Sequence, residues 1–166
     1  MSQSTLIVKP DWSSQGKGIF LTNEIDDIPT TENLVVQEYL NEPYLIDGLK
    51  FDIRLYVLVL SVDPLKIFLF KEGLVRFATQ EYDLSASLKN MFAHLTNYSL
   101  NKESGQFREA ASIHDDTGHK RSLSSLFRHL EKDGVNVSEL WASIKDSIVK
   151  TFLPIQKFLQ HDYRVS

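Results

Sequence analysis

The sequence predicts an α+β fold, a mostly antiparallel sheet with helices from the C-terminal part of the chain packed on it. Three observations predict it. Up to about Asn101 the apolar residues are β-branched or aromatic and are punctuated by turn residues, which is the texture of strands. Beyond about Ser122 the apolar spacing becomes helical. Strand and helix signals do not alternate strictly, which argues against a parallel βαβ sheet.

The elements follow in order. Residues 6–9 read as a short strand ended by Pro10, and Ser13-Ser14-Gln15-Gly16-Lys17-Gly18 as a flexible loop before Ile19-Phe20-Leu21 resumes extended structure. Residues 34–39 are another apolar strand, closed by Asn41-Glu42-Pro43. Residues 52–61, 65–70 and 74–79 read as three strands joined by Val62-Asp63-Pro64 and Lys71-Glu72-Gly73, an antiparallel meander. Ser122 caps a helix running to about Asp133, where Gly134 stops it. Ser138 precedes a longer helix with Leu140, Trp141, Ile144, Ile148, Phe152 and Leu159 on one apolar stripe, which Pro154 should kink or split.

The 166 residues suffice for one domain with a core, and a hydrophobic fraction of 42% with 24% charged residues is ordinary for a folded chain. Eighteen Lys and Arg against 22 Asp and Glu give a net charge of -4, so there is no global basic field for nucleic acid and any anion site must be a local cluster. The absence of cysteine excludes disulfides, thiolate metal sites and cysteine nucleophiles. No apolar run approaches the roughly 20 residues of a membrane span, and the start lacks a signal peptide's pattern, so an intracellular compartment and no membrane partner are expected. A chain that enters a strand almost at once and stops after Tyr163-Arg164-Val165-Ser166 is expected to be part of something longer.

Several residues could carry chemistry. Lys9 with the loop from Ser13 to Gly18 combines two glycines, which let backbone N–H groups approach an anion, with hydroxyls and the Lys17 charge. The spacing is not that of a Walker A loop; a strand–loop–strand flap over phosphates and an ordinary hairpin with a basic tip both fit. In Lys50-Phe51-Asp52-Ile53-Arg54-Leu55-Tyr56-Val57 the strand period puts Lys50, Asp52, Arg54 and Tyr56 on one face, as for a strand flooring a polar cleft or for a solvated sheet edge. Arg76 sits mid-strand, either on a solvent face or as a planar clamp for a carboxylate. His94-Leu95-Thr96-Asn97-Tyr98-Ser99 has no helical or strand period, as in a ligand-positioning loop or a self-capping turn. Lys120-Arg121 reads as a solvated pair, and His114, Asp115, Asp116 and His119 as a solvated loop without a metal-ligand pattern. The strand aromatics read as core.

Five blocks, in order, resemble the tubulin–tyrosine ligase-like family: Ile7 to Pro10 with Ser14 to Ile19, Val36 to Leu40, Ile46 to Arg54, Gly73 to Thr79, and His94 to Lys102. The resemblance implies part of an ATP-grasp fold over residues 1–166, with an N-terminal subdomain and the magnesium-binding strands missing, the latter expected beyond Ser166. It implies an ATP- and Mg2+-dependent ligase joining an amino acid to protein carboxylates, typically tubulin tails, through an acyl phosphate. ATP-binding residues carry over as Lys9, Gln15, Gly16, Gln37, Glu38, Tyr39, Leu40, Lys50, Asp52, Thr96 and Asn97. Arg54 and Arg76 carry over as catalytic cations. In the glutamate-adding branch Arg76, Tyr98, Ser99 and Lys120 hold the incoming amino acid, with no metal ligand inside the chain. The expected partners are tubulin or microtubules and free glutamate, and the protein is expected to be a monomer in the cytoplasm and cytoskeleton, including cilium, flagellum or basal body. Rival expectations are an inactive microtubule- or nucleotide-binding relative, and a ligase using glycine, tyrosine or a non-tubulin acceptor. The 166-residue piece alone is expected to be inactive and poorly soluble.

Overall fold

The computed structural model describes residues 4–85, 87–110, 112 and 117–165, with backbone alone for 162–165. His114, Asp115 and Asp116 lie outside the described residues. The elements are β1 (Leu6–Pro10), β2 (Phe20–Thr22), a 3-10 turn (Ile25–Asp27), β3 (Leu34–Glu38), β4 (Leu45–Ile46), β5 (Leu49–Arg54), β6 (Val57–Val62), β7 (Leu65–Leu69) and β8 (Leu74–Phe77). Then come α1 (Met91–His94), α2 (Tyr98–Asn101), β9 (Lys120–Ser122), α3 (Leu123–Lys132), α4 (Val137–Phe152) and α5 (Gln156–Val165). The sheets run β2-β1-β3, β4-β5-β8-β9 and β6-β7. The predicted α+β class, mostly antiparallel, is what the chain adopts.

The chain divides into two compact units. The first holds residues 1–52, 76–111 and 117–120. Its core gathers Ile7, Leu21, Tyr39 and Leu95, with Ile19, Tyr82, Leu84, Leu88, Met91 and Leu100 packed around them. β1 pairs antiparallel with both neighbours, so Lys9 lies opposite Val35 and Ile7 opposite Gln37. β4 and β5 meet through a two-residue Asp47-Gly48 loop with φ of 54° and 74°, the mirror-image turn whose twist suits a hairpin.

The second unit holds residues 53–75, 112–116 and 121–166. Here β6 and β7 form an antiparallel ribbon. Ser122 accepts from the Ser125 amide at 3.1 Å and caps α3, and the Glu72 carboxylate accepts from Ser124 N at 3.1 Å and Gly73 N at 3.0 Å. These bonds outweigh its desolvation and hold the Glu72 carboxyl below its usual value. Phe127 meets Trp141 edge-on at 5.7 Å, joining α3 to α4. Gln156 donates to Val62 O at 2.8 Å, joining α5 to β6.

Several expectations are corrected. The strand predicted over 52–61 is interrupted at Leu55-Tyr56, so the meander is replaced by a separate β6–β7 ribbon, while β8 pairs with β5 and β9. Tyr56 therefore falls outside the row on β5. The longer helix starts two residues earlier than Ser138 implied, because Asn136 Oδ1 accepts from Glu139 N and takes the capping role. Pro154 does split the C-terminal helices. The α4 stripe is half-buried, with no residue of that helix fully buried. Phe68 and Phe70 are not core: both stay more than half exposed on the ribbon, with Leu58 and Leu60.

Candidate functional site

Every sequence-predicted site residue except Arg54 belongs to the first unit. Arg54, at the end of β5, is exposed, its guanidinium 5.9 Å from the Tyr56 ring. The geometry of the others builds from the β1–β2 hairpin with β3 beside it, the strands β5, β8 and β9, and the two short helical turns α1 and α2.

The hairpin loop does what its glycines allow. Gln15 and Gly16 take φ of 63° and 86°, and a Cβ on Gly16 would lie 3.1 Å from the Asn97 side chain. The loop backbone thus sits close against Asn97, and a side chain at residue 16 would force Asn97 to shift and strain the positive φ. Ser13 Oγ donates to Lys17 O, closing the loop on itself. Between this tip and α2 lies a cavity of about 290 Å³, lined by Gln15, Gly16, Lys17, Ser99, Lys102 and Glu103, among others. The segment predicted as an aperiodic loop is instead the end of α1, a short link, and the start of α2.

Behind the tip stand the cations. Lys9 Nζ donates to Gln37 Oε1 at 2.9 Å. Lys50 Nζ donates to the Tyr39 hydroxyl at 2.8 Å and to His94 O at 2.9 Å. Burial disfavours the Lys50 charge; Asp52 favours it and Lys9 opposes it, and the net pKa is pushed down to about 8. Burial also pushes the Tyr39 hydroxyl far above its usual value. Gln37, Glu38 and Leu40 are exposed around buried Tyr39. Thr96 is buried.

Asp52, two residues along β5 from Lys50, receives a fork from Arg76: Nε donates at 2.8 Å and Nη2 at 2.5 Å. The planar Arg76 fork thus grips an internal carboxylate, that of Asp52. Phe51, on the opposite face, packs on Phe77 at 5.4 Å, so the parity predicted for Lys50 and Asp52 holds. Beyond this pair, Lys120 Nζ lies 5.7 Å from the exposed Tyr98 ring, Tyr98 meets Phe107 edge-on, and Phe107 stacks on His119. The solvated-loop reading fails for His119, which is buried and whose Nδ1 accepts from Arg108 N at 2.9 Å. It fails for Arg121 also, which is buried while Lys120 is exposed.

The profile of the Tubulin-tyrosine ligase family matches residues 1–164. The chain belongs to the tubulin-tyrosine ligase family. It is 48% identical over 165 residues to a probable beta-tubulin polyglutamylase of Tetrahymena thermophila, covering 98% of this chain and 14% of that protein. It is 44% identical over 161 residues to human tubulin polyglutamylase TTLL6, covering 96% of this chain and 18% of the relative. With human tubulin polyglutamylase TTLL5 it shares 48% identity over 149 residues, covering 89% and 12%. The chain thus spans less than a fifth of the length of these three relatives.

Within this family member, sequence reasoning missed two supports. Asn101 is buried and fully bonded: Oδ1 accepts from Thr79 N and Oγ1, both at 2.9 Å, and Nδ2 donates to Leu95 O at 2.8 Å and Asn97 O at 3.1 Å. It ties the end of β8 to the Leu95–Asn97 link. Nothing in its position within a short polar stretch signalled this. His94 is the other; it was visible only as one polar residue among several. The Asp47-Gly48 turn carried a readable signal, Asp-Gly between apolar residues.

Proposed function

We propose that the protein takes part in an ATP-dependent carboxylate–amine ligation that adds glutamate to glutamate side chains of tubulin tails. The observation that carries this reading is the line of charges in the first unit, Lys9, Lys50, Asp52 and Arg76, beside a glycine loop seated on Asn97. Such a ligation must bring ATP, an acceptor carboxylate and an amino acid's own carboxylates together, and fixed cations make their mutual repulsion tolerable. The names of the relatives support tubulin as the acceptor.

In this reading Lys9 and Lys50 hold phosphate oxygens, the Gln15-Gly16 backbone covers them, and Gln37 to Leu40 line the adenine side. Thr96 and Asn97 complete the nucleotide's surroundings, and Arg54 adds charge. ATP's terminal phosphoryl group passes to the acceptor's side-chain carboxylate, releasing ADP. The free amine of glutamate then attacks that carbonyl carbon, phosphate leaves, and the amine's proton goes to solvent. Arg76, Tyr98, Ser99 and Lys120 hold the incoming glutamate, which requires Arg76 to exchange Asp52 for a substrate carboxylate. Mg2+ would offset phosphate charge; among the described residues no group of three or more His, Cys, Asp or Glu could hold a metal ion. No helix of the described residues is long and apolar enough to cross a membrane, and this reading places the protein on the cytoskeleton.

The test is incorporation of labelled glutamate into microtubules by the intact protein with ATP. Glutamyl chains on tubulin tails are expected, with glycine and tyrosine not incorporated; transfer to free dipeptides but not to microtubules would contradict the acceptor.

A further inference from the structure

His94 is fully buried, and the ligation described above assigns it no role. Its hydrogen bonds nevertheless lead to Lys50. The Lys50 ammonium can only donate, so at 2.8 Å the Tyr39 oxygen must accept from it. The hydroxyl's own proton must then point elsewhere. Tyr82 donates its proton to Asn41 O at 2.8 Å, and its oxygen lies beside Tyr39 as one acceptor. The other is His94 Nδ1, at 3.4 Å.

The far side of the imidazole decides what Nδ1 can do. Nε2 lies 3.0 Å from Ser87 O, and a carbonyl only accepts, so the ring proton sits on Nε2. Burial lowers the pKa of the ring, and the nearby Lys50 charge adds to this; the Ser87 carbonyl and Asp83 act the other way without reversing it. A neutral ring with Nε2–H leaves Nδ1 bare, able only to accept. The order is therefore Lys50 N–H to Tyr39 O and His94 Nε2–H to Ser87 O, with the Tyr39 O–H between two acceptors, the Tyr82 oxygen and His94 Nδ1. His94 supplies Lys50 with a second acceptor through its own carbonyl at 2.9 Å. Two of the three ammonium hydrogens are engaged, which leaves one for a ligand. Tyr39 and Tyr82 meet the ring edge-on at 5.9 and 5.4 Å, so its plane is fixed by packing as well.

We propose that His94 is a positioning residue: through the Tyr39 hydroxyl and its own carbonyl it aims the Lys50 ammonium at the nucleotide's phosphate groups. The proposal rests on the nucleotide reading for the identity of the anion, but the support of Lys50 does not. The groups facing Lys50 are Tyr39, the His94 carbonyl, Asp52 and Lys9; those facing His94 are Tyr39, Tyr82, Ser87 O, Lys50 and Asp83.

The experiment is pH-dependent labelling of Lys50 by acetic anhydride in the intact, nucleotide-free protein, read peptide by peptide by mass spectrometry. The wild-type midpoint is expected at about 8. Tyr39→Phe, which keeps the ring but removes the acceptor, should lower it by about one unit. His94→Gln retains a donor toward Ser87 and loses the acceptor toward Tyr39, so it should shift in the same direction by less. His94→Asn keeps an acceptor near the Nδ1 position and should restore the wild-type value. A purely structural histidine would move the melting temperature in these variants and leave the midpoint alone; an unmoved midpoint in folded Tyr39→Phe and His94→Gln overturns the proposal. The wild type alone supplies a check if a variant fails to fold: nitrogen-detected NMR at pH 7 should find His94 neutral with the proton on Nε2, and an Nδ1-protonated or charged ring overturns it. ATP titrations of the same proteins separate the two layers. Weaker ATP binding that tracks the labelling shifts supports the aiming at phosphate, whereas wild-type protein that binds no ATP overturns the nucleotide reading even with the labelling shifts present.

Discussion

The two units bury different things. The first spends buried space on polar groups: Thr79, His94, Thr96, Asn101 and His119 are all buried. Those whose bonds are drawn above are held by neighbouring backbone or side chains, and the His94 carbonyl accepts from Lys50. The second unit buries chiefly aliphatic residues such as Val75, Leu123 and Leu126, yet leaves Leu58, Leu60, Phe68 and Phe70 more than half exposed on the β6–β7 ribbon. Burying polar groups gains little net stability and penalises every broken bond, so a chain retains them where geometry matters more than stability. The difference teaches that the first unit keeps a hydrogen-bonded polar interior, while the second is amphipathic layering with apolar faces to spare.

The largest effect that could break this contrast is at the cations. Lys9→Ala and Lys50→Ala in the intact protein should each abolish glutamate transfer, with ATP binding measured by calorimetry strongly weakened; wild-type ATP affinity in either would remove that lysine from the site. Arg76→Ala should cost on the order of 2–5 kcal/mol in glutamate binding with ATP affinity nearly unchanged, and Arg76→Lys should not rescue it, because an ammonium cannot reproduce the planar fork. Unaltered glutamate kinetics would take Arg76 out of the amino-acid site. Next in size is Asn101→Leu, which removes four hydrogen bonds, those to Thr79 Oγ1 and Leu95 O among them, and should cost about 3 kcal/mol by denaturant unfolding.

Sequence alone made the first unit's chemistry partly legible and its supports illegible. Period-two alternation was enough to place Lys50 and Asp52 together, because a strand's pleat is a local property. The glycine loop was legible for the same reason. His94, Asn101 and His119 were not, since each acts on residues distant in the chain, and a polar residue's burial is set by tertiary packing. In the second unit Ser122, Gly134 and Pro154 marked helix boundaries correctly, whereas Phe68 and Phe70 misled because strand periodicity says which face is apolar and not whether anything covers it.

Smaller effects sharpen the comparison through pH. His94 carries a lowered pKa, so below about pH 6.5 the unfolded chain binds a proton that the folded one resists, and stability should fall with acid; His94→Gln should flatten that slope in urea titrations. Lys50 is also lowered, to about 8 against 10.5 unfolded, so its contribution to stability should rise as pH climbs through that window and vanish in Lys50→Met. In the second unit Ser122→Ala should cost about 1 kcal/mol through loss of the α3 cap. Smallest of all, Leu58→Lys with Phe68→Glu, an opposite-charge pair across the β6–β7 ladder, should change stability by under about 0.5 kcal/mol while reducing self-association by light scattering, since neither side chain is core. A large loss of stability there would erase the contrast between the units.

The most direct measurement is calorimetric titration of the intact protein with ATP at pH 7 and at pH 9. With Lys50 charged at the lower pH and mostly neutral at the higher, affinity should weaken about tenfold, accompanied by proton uptake near pH 8 that disappears in Lys50→Met. Equal affinity at both pH values, or no binding at either, would contradict a phosphate-gathering role for this cluster.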